Sequence, residues 1–429
     1  MTQPALRRAL GRWDLTAIGV NQVIGGGIFL IPSDVARQVG SWGPAAFVGV
    51  GVASLLVALC FAEAASRFDR TGGPLLPARA AFGRFAGFEV GWMMWFTRVT
   101  SQASISNGLA LALAFYWPGF AGGAPRAALI TGLTLALAWI NVRGIRQASW
   151  AVNAFTWGKL LPLFVFIAVG VWYVDPARFA SPPPVSLEQA GTAMLLLIFA
   201  YGGYEVVSVP AGEAARPARD IPFASVMTVL GVTAVMTLTA IVATGTLPGL
   251  AATRTPIADA AAIFMGPGGS LLVSLGAVVS MTGNCMGQVI AASRSIFALA
   301  EHGDLPRFFA RVHPVYRTPS NAILFSTAVA LVLALSGSFT LLAAVSAVGR
   351  LVIYLTACGA VLQLRRPSLA GRAGPAGFTI PFGPTVPVLA IIITLGILAG
   401  ATTQQFAVGG TALGAGGFLY LAGRRRPVL

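Results

Sequence analysis

Long uninterrupted apolar runs constrain this chain more than any other feature of its sequence. Several reach the ~20 residues that cross a ~30 Å hydrocarbon core as a helix. The composition agrees, with 56% apolar and only 10% charged residues among 429, where soluble domains carry about 25% charged. The runs are continuous and lack a period of two, which excludes a β-barrel. Runs bounded by Arg, Pro or Gly clusters predict twelve spans, at 14–37, 42–66, 82–115, 126–142, 149–174, 188–211, 222–245, 258–300, 319–336, 339–364, 382–401 and 404–422. The third and eighth exceed a simple crossing and should project past the bilayer. The loops leave no room for a soluble domain, so 1–429 reads as one all-α membrane unit.

A net charge of +15 would suggest nucleic acid in a soluble protein. Here it follows the loops. With the N-terminus inside, 21 arginines fall on the cytoplasmic side and four (Arg37, Arg126, Arg178, Arg254) on the other. That bias fits the positive-inside rule and places both termini in the cytoplasm of a multi-pass plasma-membrane protein. Nucleic acid is excluded as a partner, and the lipid bilayer is implied. No small-residue cleavage site closes a short apolar region after Arg7, Arg8 and Arg12, so the first span reads as retained. Cys60, Cys285 and Cys358 all lie in apolar runs and imply no disulfide framework.

Three basic residues remain inside spans: Arg98, Arg350 and Lys159, the last being the only lysine in the chain. A charge near the bilayer centre costs about 3 kcal/mol or more, so it faces a cavity or a partner. Glu63 and Glu205 are the acidic residues at similar depth.

Spans one and six carry glycine interruptions, Val23-Ile24-Gly25-Gly26-Gly27-Ile28-Phe29 and Phe199-Ala200-Tyr201-Gly202-Gly203-Tyr204-Glu205. Each glycine disfavours helix by about 1 kcal/mol relative to alanine. Backbone freed at that depth is tolerated only where it lines an enclosed cavity. Interruptions at matching places of two halves point to a transporter's binding site. Five spans separate them, which suggests an inverted repeat of spans 1–5 and 6–10. Half-helix ends offer N–H groups to a carboxylate and carbonyls to an ammonium, which suits an amino acid. The alternative is that these glycines only allow close helix packing.

Gly25-Gly26-Gly27-Ile28-Phe29 with Pro32 resembles the first-helix motif of the amino acid–polyamine–organocation (APC) transporters. Phe199 to Glu205, continuing into Gly212-Glu213, Pro217, Arg219 and Pro222, resembles their sixth helix and following loop. Ala291-Ala292-Ser293-Arg294 through Gly303-Asp304-Leu305-Pro306-Arg307 to Val312 resembles their eighth helix and its extension. The resemblance covers essentially the whole chain.

It implies a LeuT-like fold with twelve transmembrane helices, helices 1 and 6 being broken. Residues 1–180 would form the first inverted repeat, 181–366 the second, and 367–429 two accessory helices. It further implies amino-acid transport by alternating access. Backbone from Val23 and Ile24 through Gly25, Gly26 and Gly27 to Ile28 would bind the substrate carboxylate, and carbonyls of Phe199, Ala200 and Gly202 the amino group. Phe199 matches an aromatic cap, and Glu205 an acidic residue tying helices one and six together. Tyr201 and Tyr204 are gate or packing aromatics. Gln288 and Ser346 align with pocket-facing positions, and Asn284 lies one turn before Gln288. Each of these polar residues reads equally well as a bond between helices.

Lys159, in Gly158-Lys159-Leu160-Leu161-Pro162, resembles the lysine that replaces a sodium ion in sodium-independent relatives. A lysine withdrawn from water can tie protonation to conformation; the alternative is a permanently charged structural residue. Arg98 and Arg350 resemble in placement two arginines of a glutamate-exchanging branch, where they lie near an anionic side chain. Bidentate carboxylate binding suits arginine, so neutral or acidic amino acids are the expected substrates. Internal pairing with Glu63 or Glu205 is the competing role.

The expected activity is sodium-independent secondary transport, coupled to protons or to exchange, with a polyamine or organocation permease as a further alternative. No GxxxxGK[ST] loop indicates an ATP-driven pump. An intramembrane enzyme would want paired catalytic groups, yet His302 and His313 both fall in the extension of span eight. No cofactor, metal or obligate protein partner is implied.

Overall fold

The computed structural model describes residues 10–68, 73–143, 149–180, 182–209, 214–369 and 371–424. Gly212 and Glu213 of the sixth-span motif lie outside the described residues, as do Arg7, Arg8, Arg70, Arg146, Arg425 and Arg426 of the charge tally.

The chain folds into α1 (Arg12–Val23), α2 (Gly27–Val39), α3 (Gly43–Ser66), α4 (Leu75–Phe82), α5 (Arg84–Ala114), α6 (Gly123–Arg143) and α7 (Ser149–Gly170). There follow α8 (Leu187–Tyr201), α9 (Pro217–Thr246), α10 (Pro256–Glu301), α11 (Ser320–Ser336), α12 (Phe339–Leu364), α13 (Thr385–Ala399) and α14 (Thr403–Arg424). Short 3-10 turns connect them, and no strand occurs among the described residues beyond a single bridge between Leu10 and Ala214.

A helix or a pair of helices occupies the position of each predicted span. By length and composition, six helical stretches among the described residues can cross a membrane: Gly27–Ser66, Gly123–Arg143, Leu187–Ser208, Pro217–Thr246, Pro256–Glu301 and Phe339–Leu364. Helices α13 and α14 meet that standard only together, bent by 118°. The others fall short for visible reasons. Helix α5 carries Glu89, Arg98 and a run of hydroxyl and amide side chains, and α11 has only 17 residues.

The eighth span, the longer of the two overlong ones, is divided within its length. Helix α10 is interrupted at Gly266, whose φ of 65° breaks the helix just before Pro267, a residue with no N–H to continue the ladder. Helix α5 starts separately from the eight-residue α4 across Gly83. Where helices begin in polar loops, caps fix the ends: Ser186 accepts from Gln189 N at α8, and Ser338 from Leu341 N at α12, each worth about 1 kcal/mol.

Helix α5 runs through the centre, against α10 on one side and α12 on the other. Around it, α3 packs on α9, α2 on α8, α1 on α9 and α7 on α10. One contiguous apolar cluster joins these faces, and the interruptions after Val23 and after Tyr201 meet inside it.

Candidate functional site

Helix α1 stops at Val23 and α2 starts at Gly27, which leaves carbonyls without intrahelical partners. Neighbouring helices supply donors. Buried Lys159 of α7 donates through Nζ to Asn21 O at 2.6 Å and Ile24 O at 2.9 Å. Ser280 Oγ of α10 donates to Ile24 O at 3.3 Å and Gly25 O at 3.2 Å. Asn284 Nδ2, one turn along, donates to Gln22 O at 3.0 Å. Gly27 is required by packing, because a Cβ there would lie 2.9 Å from Ala200 Cα of α8.

Helix α8 ends at Tyr201, and a short 3-10 helix resumes at Tyr204–Ser208. Gly203 takes φ 136° between them, a conformation that favours glycine. A side chain there would also strike the Gln22 carbonyl at 2.9 Å. The turn aims Glu205 inward. Its Oε2 accepts Gly203 N at 2.9 Å, while Oε1 accepts Arg350 Nη1 at 2.5 Å and Arg98 Nη2 at 3.3 Å. All three charged side chains are buried.

The network runs on through α5, α10 and α12. Arg98 Nη1 donates to Gln288 Oε1 at 3.4 Å, and Gln288 Nε2 to Asn284 Oδ1 at 3.0 Å. Arg350 Nη2 donates to Ser101 Oγ at 3.4 Å; Ser101 and Ser346 share a 2.7 Å hydrogen bond, and Ser346 Oγ also donates to Thr97 O at 3.1 Å. Two guanidinium groups thus share one carboxylate, leaving one surplus positive charge in the interior.

A narrow cavity, with about 260 Å³ of space between its wall atoms including the part open to solvent, lies between the two interruptions. Of the residues expected from the sequence, Val23, Gly25, Gly26, Gly27, Phe199, Ala200, Gly202, Asn284, Gln288 and Arg350 line it. Phe199 stands edge-on to Phe339, with ring centroids 6.0 Å apart. The remaining expected residues sit behind the wall. Ile24 and Ile28 are buried in the core, Ile24 contributing its carbonyl to Lys159. Arg98, Glu205 and Ser346 bond to the lining residues Gln288, Arg350 and Ser101. Tyr201 points away, its hydroxyl donating to Phe47 O at 2.8 Å, and Tyr204 packs on Tyr354 and Phe61. Glu205 bonds to α5 and α12 rather than to α1; contact with α1 is made by Gly203 on the Gln22 main chain.

Gln22, Ser101 and Ile105 also line the cavity and went unnoticed in the sequence. A signal was present for two of them. Thr97, Ser101 and Ile105 share one helical face, and a polar run inside a membrane-length helix marks an interior seam. Two buried donors on the wall, Gln22 Nε2 and Arg350 Nε, have no hydrogen-bond partner among the described residues, which is costly unless a ligand or water supplies an acceptor.

The family model described as amino acid permease matches residues 10–421. The chain is similar to the serine/threonine exchanger SteT of Bacillus subtilis, 29% identical over 90% of this chain and 89% of that protein. It is similar to the methylthioribose transporter of the same organism, 27% identical over 94% and 91% of the two chains. Its likeness to the branched-chain amino acid permease BcaP, again of B. subtilis, is 26% over 92% and 88%.

Proposed function

We propose, from the premise that this chain belongs to the amino acid permease family, that it is a sodium-independent secondary transporter of neutral or acidic amino acids working by alternating access. The family and these relatives are multi-pass membrane transporters of small molecules, not enzymes. The finer reading has twelve crossings, with α1–α2 as a broken first helix and α8 with Tyr204–Ser208 as a broken sixth. It assigns 1–180 and 181–366 to inverted repeats and 367–429 to accessory helices, in a plasma membrane with both termini cytoplasmic.

The observation that carries sodium independence is Lys159 Nζ on the carbonyls of Asn21 and Ile24. Main-chain carbonyls freed by an unwound helix are where a coupling cation binds in broken-helix transporters, and here an ammonium occupies them. A lone lysine in an enclosed site can exist charged or neutral, so its proton is the proposed coupling ion. Arg98 and Arg350 together exceed the single Glu205 carboxylate by one positive charge, and Arg350 lies on the cavity wall, which favours an acidic side chain among the substrates.

Exchange on the same fold is the second reading, favoured by similarity to a protein named as an exchanger. Sodium-free uptake of labelled glutamate and alanine into proteoliposomes, with and without an inward proton gradient, tests the proposal. Gradient-stimulated uptake is expected. Uptake that requires sodium would overturn it, and uptake only into vesicles preloaded with amino acids would select exchange.

A further inference from the structure

Away from the central cavity, a groove with about 1230 Å³ of empty space opens where α3 ends, between α4 and the loop that joins α12 to α13. Arg67, Arg79 and Arg372 line it, and no acidic side chain does among the described residues. Phe68, Leu76 and Ala80 form an apolar strip beside them.

Among the described residues the arginines are poorly compensated. Glu63, the carboxylate that Arg67 touches, is already engaged by Arg365, whose Nε and Nη2 donate to its two oxygens at 2.8 and 2.5 Å, and by Ile380 N at 2.9 Å. Arg67 reaches Glu63 only with Nη2 at 3.4 Å, and its buried Nε has no partner among the described residues. Arg79 and Arg372 make no ion pair among the described residues. The loop wall is fixed, since Gly374 N donates to Arg67 O and Phe378 N to Ser66 Oγ, both at 3.2 Å.

The groove also lies at the right depth. The apolar stretch that can cross the membrane ends at Ser66, so Arg67 and Phe68 stand at the boundary between hydrocarbon and water. Basic pockets between helices at this level suit lipid phosphates. We propose that the groove binds an anionic phospholipid, its phosphate held between Arg79 and Arg372 with Arg67 behind, and an acyl chain along Phe68, Leu76 and Ala80. A free phosphate would satisfy the arginines but would leave the apolar strip uncovered, which is why a lipid is assigned.

The test uses the full chain in detergent with phosphatidylglycerol or phosphatidylcholine, with bound lipid counted by native mass spectrometry. Phosphatidylglycerol should be retained in preference. Arg79→Gln with Arg372→Gln should lower its occupancy roughly 25-fold, the worth of two basic contacts at an anionic surface. Arg79→Lys with Arg372→Lys should keep most of it, separating loss of charge from loss of fold. Equal retention of both lipids, or unchanged phosphatidylglycerol on the Gln variant, overturns the proposal. Displacement of the lipid by inorganic phosphate alone overturns the assignment to a lipid.

Discussion

The guanidinium of Arg350 lies directly on Gly202: a Cβ at that position would fall 2.2 Å from Arg350 Cζ and 2.3 Å from Nε. The glycine that ends α8 is therefore the floor on which the cavity's cationic side chain rests.

Gly202→Ala should displace Arg350 and destabilise the protein by about 1–3 kcal/mol, the usual cost of overpacking a core. Transport should fall far more than the thermal midpoint. Uptake at the wild-type rate would show that Arg350 does not need its observed position.

Arg350→Ala should impair glutamate uptake more than alanine uptake, because Arg350 reaches the cavity wall. Arg98→Ala, acting through Gln288 and Glu205, should reduce both substrates more evenly. Equal losses for both substrates in both variants would assign the pair to structure alone.

Glu205→Gln strands two buried guanidinium groups without their shared carboxylate, and about 3–5 kcal/mol should be lost. Adding Arg98→Met to it removes one stranded charge and should recover part of that loss. A melting curve on purified protein reads both, and a double variant less stable than the single one would contradict the shared-carboxylate account.

Lys159→Ala should leave Asn21 O and Ile24 O without their ammonium donor. The protein should still insert and purify, but gradient-driven uptake should collapse. Uptake from this variant that keeps the wild-type rate and response to the gradient would remove Lys159 from the mechanism.

Glu63→Gln should loosen the loop after α12, which Arg365 and Ile380 N tie to Glu63 alongside the bonds of Gly374 N and Phe378 N to the end of α3. Hydrogen exchange between 374 and 384 should quicken by an order of magnitude or more, roughly the loss of a charge-assisted anchor. Unchanged protection there would place the anchoring elsewhere.

Much of this site was legible in the sequence because polar and glycine residues are conspicuous against an apolar background. Gly25 to Gly27, Gly202, Lys159 and Arg350 stood out for that reason, and the structure brings them to one place. What was not legible was direction. Tyr201 sits beside Gly202 in sequence, yet its side chain leaves the cavity for Phe47, since the residues flanking a helix end diverge. Ser346 and Ser101 were indistinguishable by type, and the packing of α5 against α12 puts Ser101 in front. Glu205 bridging two arginines required the turn at Gly203, which a sequence pattern does not orient. The break of α10 at Gly266-Pro267 was written plainly in two residues but went unread within a long apolar run.

The interruption between α1 and α2 has one further consequence. The same few peptide units, from Asn21 to Gly25, present carbonyls to Lys159 and Ser280 on one side, while Gln22, Val23 and Gly25 edge the cavity, with Asn284, on the other. They form a partition a single strand of main chain thick. On the transport reading, no relay of side chains has to link proton to cargo: tilting one of these amides alters what it offers to both compartments at once.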